Sequence, residues 1–549
     1  MATKRQTQPL DRIAPRVMLV LAAVIVAMLL LGSQALPAVR TFSWQNKAVT
    51  ADDAAFMLVF TQPMNPRSVE ENLKIEPDLP GKFSWAGRRM AYTLAVPAPY
   101  GETYRVSLAD ATSLSEQAAG RSGFESFSSE FRTRDRVFAY VGAQGEEQGR
   151  LVLFNITRKE KTLLTPAGKT VMDFRPYPAR DRILFSATDQ PTAAQGGGTT
   201  FSSPQLYSVS TGLASDAPLP RWQIWRQQPA AGDLDLILDN KEYQNLKFDL
   251  SPNGKVIVIQ RVNQQNPSDF GPWVLIEGAP PRKLKTTPGG DFTIAPDSVS
   301  LLLQQGEGTA VISLEEDPAV AESDELLLDF LPDYGLTLDI ASDGSAAALV
   351  NFNQDDPEKQ FTQSLFWVSN QGEEKPLLET DGSIISARFS EDNKILYCLV
   401  SRLAESAAPA EETEDLLEAG EGDYTVIPYL TAVNIKTGRE QELLEMPPQP
   451  EITVSLSPDG LAVLFDEAIG SDEQRSESSQ EASQESSQKA DEQAAEQTDE
   501  NSGSVYLGAT HRLWLLPLFA TVEERLREEP TALPPAELEI AGRQPMWLP

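Results

Sequence analysis

The chain has 549 residues, with 46 Lys and Arg against 80 Asp and Glu, for a formal net charge of -34. Length and ordinary apolar content allow more than one buried core. The acidity excludes nucleic acid, whose phosphates demand clustered Lys and Arg, and excludes an anionic membrane surface as partner of the soluble part.

At the N-terminus, Lys4, Arg5, Arg12 and Arg16 stand against the single acid Asp11, and Val17 to Gly32 then run without a charge. This is a membrane-insertion signal: residues 1–16 read as a cytoplasmic basic tail and 17–38 as a transmembrane signal anchor, placing the bulk of the chain outside the cytoplasm. The alternative is secretion after signal-peptide cleavage near Ala35, because Ser33-Gln34-Ala35 has the small-x-small form of a cut site. The long basic tail and Pro37 favour the retained anchor. No cysteine stands directly after the apolar run, so a lipoprotein is excluded.

Residues 39–49 read as a linker and 50–134 as a β-sandwich. Phe56–Phe60, Leu73–Ile75, Lys82–Trp85, Met90–Leu94 and Tyr104–Leu108 are short apolar or alternating runs at the spacing of sandwich strands. Phe60-Thr61-Gln62-Pro63-Met64-Asn65, then Ser68-Val69 in a turn and Leu73-Lys74-Ile75 in a strand, resemble the bacterial Ig-like domain of the S-layer (SbsA) type. Gly101–Val106 and Phe131-Arg132-Thr133 also fit that pattern. The resemblance implies a spacer or adhesive module without chemistry of its own.

From residue 135 to 549 a beat recurs. Leu456-Ser457-Pro458-Asp459-Gly460 has copies beginning at Leu250, Ile294, Ile340 and Phe389, a degenerate one at Phe174-Arg175-Pro176, and a truncated one at Trp547-Leu548-Pro549. Each is followed by short apolar strands, as Leu250–Gly254 is by Val256–Ile259, Trp273–Ile276 and Arg282–Leu284. Four strands per period of 40 to 50 residues, roughly, make a propeller blade. Pro, then Asp or Asn, then Gly is the chemistry of a tight turn, so Asp459 reads as a turn residue before it reads as an acidic site. Val137–Val141, Leu151–Ile156 and Lys161–Leu164 supply three strands whose missing partner is Gln544–Pro549, a ring closed by both ends of the propeller segment. The expected fold is therefore all-β: an N-terminal transmembrane helix, an Ig-like sandwich and a seven-bladed β-propeller, with six or eight blades as alternatives.

Longer intervals contain insertions: Gln195–Gly198 with the stretch around Trp222 and Trp225, the acidic segment 404–423, and 471–504, which is almost wholly Ser, Glu, Gln, Asp and Ala. Such composition does not repay ordering entropy, and both acidic inserts read as disordered loops. Leu456–Gly460, Leu250–Lys255 and Ile435-Lys436-Thr437-Gly438 resemble the TolB-like, or WD40-like, bacterial propellers, a resemblance that speaks to fold more than to function.

No catalytic, cofactor or metal site is assigned. The single Cys398 allows no internal disulfide and lies in a strand-like run, as an inert core thiol; the single His511 cannot build a multi-histidine metal site. There is no Gly-x-Ser-x-Gly elbow and no calcium-loop spacing. The expectation is a membrane-anchored, extracytoplasmic binding or scaffold protein of the bacterial envelope, not an enzyme and without cofactor, whose propeller takes an envelope protein or a cell-wall polymer. The alternative is a glycan-processing enzyme using central-face acids such as Asp233, Asp235 or Asp239.

Overall fold

A computed structural model describes residues 17–26, 36–114, 123–189, 203–213, 230–287, 289–306, 308–315, 327–405, 424–449, 451–469 and 510–549. The chain divides into two compact units between Arg134 and Asp135. Residues 17–26 are helical, and no helix among the described residues is long and apolar enough to cross a membrane. The rest of the expected apolar core and the expected cut near Ala35 lie outside the described residues, as do Gln195–Gly198, Trp222, Trp225 and the insert 471–504.

The N-terminal unit has strands β1 (Val39–Phe42), β2 (Ala48–Val49), β3 (Ala55–Phe60), β4 (Leu73–Glu76), β5 (Gly81–Ala86), β6 (Arg89–Leu94), β7 (Thr103–Leu108) and β8 (Phe127–Thr133). They form two four-stranded sheets, β1-β3-β6-β5 and β2-β8-β7-β4. Alternation decides which side chains go inside: Phe56, Leu58 and Phe60 of β3, Met90 and Tyr92 of β6, and Tyr104 and Val106 of β7 share one buried cluster. Each such side chain contributes about 2 kcal/mol of burial. The unit is a β-sandwich.

Two expectations are corrected here. Residues 39–49 are not a linker: β1 pairs with β3, β2 pairs with β8, and Phe42, Trp44 and Val49 are buried in the core. Strands of two to four residues are too short to show a periodicity, which is why the pattern hid them. The Ser68-Val69 turn is instead a short helix, Pro66–Asn72, with Pro66 in its first turn, where a missing N–H costs nothing, and Val69 buried.

The C-terminal unit opens with β9 (Val137–Gly142), β10 (Leu151–Asn155) and β11 (Glu160–Leu163). Five four-stranded antiparallel sheets follow, each taking its strands in sequence order. The first holds β12 (Lys169–Pro176), β13 (Arg182–Asp189), β14 (Gln205–Ser210) and β15 (Leu234–Leu238). The second holds β16 (Tyr243–Leu250), β17 (Val256–Asn263), β18 (Phe270–Ile276) and β19 (Arg282–Lys283). The third holds β20 (Phe292–Ile294), β21 (Ser300–Gln305), β22 (Gly308–Ser313) and β23 (Leu327–Leu331). The fourth holds β24 (Leu336–Ile340), β25 (Ala346–Asn351), β26 (Gln363–Ser369) and β27 (Glu374–Thr380). The fifth holds β28 (Ile384–Phe389), β29 (Ile395–Glu405), β30 (Tyr424–Asn434) and β31 (Glu440–Glu445).

Last come β32 (Val454–Leu456), β33 (Ala462–Ile469), β34 (Thr510–Pro517) and β35 (Ala536–Trp547), and these join the opening strands in one seven-stranded sheet, β11-β10-β9-β35-β34-β33-β32. The first part of β35 pairs with β34 (Glu537 opposite Trp514), and its end pairs with β9 (Trp547 opposite Phe138). The two ends of the unit are thus hydrogen-bonded together and the series of sheets closes: this is a β-propeller.

The recurring motif occupies the hairpin between the first two strands of a sheet. Gly254, Ser298, Gly344, Asn393 and Gly460 donate their N–H to the carbonyls of Ser251, Ala295, Ala341, Ser390 and Ser457 at 2.8–2.9 Å. All five have φ between 55° and 70°, which Gly and Asn tolerate best. The same hydrogen bond and a positive φ recur at Arg180, bonded to Tyr177. The degenerate copy is therefore Pro176–Arg180, two residues beyond Phe174-Arg175-Pro176; its loss of both Asp and Gly hid the register. The acidic insert also begins later than residue 404, since Ala404 and Glu405 continue the β29–β30 ladder opposite Thr425 and Tyr424. Residues 406–423 lie outside the described residues.

Candidate functional site: the axial face of the propeller

The first strands of the second to fifth sheets lie beside one another, β16 against β20, β20 against β24 and β24 against β28, and within the closing seven-stranded sheet β32 lies against β35, so these strands form the innermost layer. Their side chains alternate. Phe174, Phe248 and Phe292 are buried in apolar clusters between sheets. The intervening positions are polar: Arg175, Asp249, Thr293, Asp339, Arg388 and Ser455 directly precede the hairpin motif, and Asp173, Lys247 and Asp291 stand two residues earlier.

These groups stitch neighbouring sheets. Asp249 Oδ2 accepts the Ile294 N–H of the next sheet at 2.9 Å and Asp339 Oδ2 accepts that of Phe389 at 2.9 Å, while within the closing seven-stranded sheet Ser455 Oγ accepts the Trp547 N–H at 3.1 Å. Ion pairs run alongside. Arg175 lies 2.7 Å from Asp173 and 3.9 Å from Asp249, Arg388 lies 2.9 Å from Asp339, and Lys247 pairs with Asp291.

Burial draws the Lys247 ammonium down to about 8; Asp249 opposes this, Arg175 reinforces it, Asp173 opposes it and Arg388 reinforces it. Arg388 belongs to a sheet that is not adjacent to that of Lys247. Its influence marks the convergence of these charges at the axis. What the arrangement offers chemically is a preorganised wall of donors and acceptors of both signs, suited to exchanging hydrogen bonds and ion pairs with a polar ligand.

The acids named from sequence are elsewhere. Asp235 lies exposed on β15, the outermost strand of its sheet; Asp233 precedes that strand and accepts the Ala230 N–H at 3.0 Å; Asp239 follows it and faces Lys241 at 3.4 Å. Their alternation with Leu234 and Leu236 reports an edge strand, not the axis. Sequence reasoning missed the axial acids Asp173, Asp249, Asp291 and Asp339; a polar residue directly before the motif in successive copies is the signal for Asp249 and Asp339, and a second one two residues earlier is the signal for Asp173 and Asp291.

Asp459 is buried and structural. Its carboxylate accepts from Ser457 Oγ at 2.7 Å and meets Arg136 at 3.3 Å, while its carbonyl accepts from Arg525 at 2.6 Å. Cys398 is fully buried between sheets, and burial raises its thiol pKa, which keeps it protonated and inert. His511 on β34 is half-buried; burial lowers its pKa, and neighbouring Asp466 opposes that. Asp466, raised chiefly by burial, accepts the N–H groups of Thr453 at 2.7 Å and Gln544 at 2.8 Å and so ties β33 to β35. Among the described residues no three acids, histidines or cysteines are grouped as a metal centre requires.

The sequence matches no protein-family model and no curated protein. Among solved structures the chain is similar to TolB from Acinetobacter baumannii, with a TM-score of 0.35 and 11% identity over 87% of this chain and 83% of that one. It is similar to an oligogalacturonate lyase from Vibrio parahaemolyticus, at 0.35 and 11% over 58% and 79%. It is also similar to a puromycin hydrolase, at 0.35 and 13% over 79% and 59%. No activity is transferred from likenesses of this size, and the assignment of the fold rests on strand pairing.

Proposed function

We propose that the chain is a binding protein of the bacterial envelope. Residues 17–38 anchor it, with 1–16 cytoplasmic and the bulk extracytoplasmic; the sandwich is an Ig-like spacer of the S-layer type; a TolB-like propeller holds a protein or cell-wall polymer at its axis. The propeller counts seven blades when the seven-stranded sheet is taken as two blades sharing β35.

The observation that supports binding is the pairing of the axial charges. Asp173, Asp249, Asp291 and Asp339 each face a guanidinium or ammonium group, and Asp249 and Asp339 also hold a neighbouring sheet's N–H. Carboxylates engaged in this way act as acceptors and as the negative half of a mixed-charge surface.

The test is recovery of a cross-linked partner from detergent-solubilised membranes by the full chain and by the double variant Lys247→Glu, Arg388→Glu, with matched thermal melts. The reading expects a partner with the wild type and its loss in the variant. Equal recovery by both, or none by either, contradicts it.

A further inference from the structure

Buried apolar clusters fill the spaces between adjacent propeller sheets: Val256 and Val258 meet Leu301 and Leu303 between the second and third, and Ala348 and Val350 meet Leu396 and Cys398 between the fourth and fifth. Between the third sheet (β20–β23) and the fourth (β24–β27) no such cluster occurs among the described residues. A cavity of about 480 Å³ stands there instead.

The repeat explains it. In β17, Val256 and Val258 face the following sheet and Ile257 and Ile259 the preceding one. Ser300 of β21 takes the position of Val256, and Ala347 of β25 takes the position of Ile257. Two branched apolar side chains that would fill the seam are thus replaced by a hydroxymethyl and a methyl. Other walls stay apolar: Leu302, Val311, Leu331, Ile340 and Leu349 line the space. Its volume lies in the range of ligand pockets, about 300–1,000 Å³.

Charge selects the ligand. The lining holds Asp297, Asp329 and Glu374 and no lysine or arginine, in contrast to the axis, where each acid meets a cation. We infer that this seam is a second binding site, distinct from the axis, for a small cationic amphiphile: an apolar chain or ring in the seam, with an ammonium group at the rim carboxylates. The site is independent of the axial reading and stands or falls apart from it.

The experiment is calorimetric titration of the full chain at pH 7, below micelle-forming concentrations, with decylamine, decanol and decanoate, three probes that share an apolar body and differ in head group. The expected order is decylamine, then decanol, with decanoate at least tenfold weaker than decylamine. Glu374→Gln is expected to weaken decylamine about threefold to tenfold and leave decanol unchanged. Ala347→Trp, and the smaller Ala347→Leu should the first fail to fold, are expected to remove or strongly weaken binding of both without lowering Tm, because they fill a void. No saturable binding of decylamine, equal binding of decanoate, or unchanged binding in a folded filling variant would overturn the proposal.

Discussion

The two faces of β25 make unlike walls from one strand. Ala348 and Val350 are buried with Leu365, Ile384, Leu396 and Cys398, whereas Ala347 and Leu349, alternating with them, border a cavity of about 480 Å³. A period of two separates the faces completely, so packing on one is independent of packing on the other. The difference teaches that the apolar beat of the repeat is a stability requirement face by face, and that a face relieved of it can take a ligand while its other side holds the blade.

The strongest way to break this contrast is to truncate the packed side. Leu365→Ala, at a fully buried position, is expected to cost about 2–5 kcal/mol in denaturant unfolding, the range for large-to-small core changes. A cost near zero would mean that the packed face is not packed. Next, Ala347→Leu on the open face should change stability by less than about 2 kcal/mol and in the stabilising direction, as cavity-filling changes do. A loss of several kcal/mol, as when a full core is overpacked, would erase the distinction between the faces.

A third region sharpens the contrast by being polar throughout. Lys247 at the axis is drawn to about 8 from its ordinary 10.5, chiefly by burial. Between those values the folded chain has released this proton and the unfolded chain still holds it. The unfolded state then binds more protons, and stability attributable to this residue rises with pH. Comparing wild type with Lys247→Met across pH 8 to about 10.5, the wild type should gain stability relative to the variant as pH rises. Parallel curves would place Lys247 in an ordinary solvated setting. The smallest effect is expected on the outermost strand, where Asp235→Asn should leave stability within about 0.5 kcal/mol and leave partner recovery unchanged.

Much of the fold was legible because its signals are local. The hairpin residues carry the beat, since Gly254, Gly344 and Gly460 supply the positive φ that a tight turn needs. Trp547 was recognisable as the closing strand because it stands where Leu250 and Leu456 stand in their copies. Where local chemistry decayed, the reading slipped: Tyr177–Arg180 keeps the turn without its Asp or Gly, and β1 and β2 are too short to alternate visibly.

The candidate site was far less legible, for a different reason. Lys247 and Arg388 are separated by more than three repeats in sequence and converge only because a ring brings first strands together. Asp233 and Asp235 looked the part as neighbouring acids, yet sequence proximity on an edge strand says nothing of the axis. The open seam required two absences to be read jointly, Ser300 on one sheet and Ala347 on the next.

The most direct test of the central claim, that the axis is the binding face, is to install a photo-cross-linking residue at Thr293 on the axial strand β20 and, separately, at Asp235 on the outermost strand β15, in the full chain expressed in bacterial cells. The account predicts a discrete adduct from position 293 and none from 235. An adduct from 235 alone, or the same adduct from both, would contradict it.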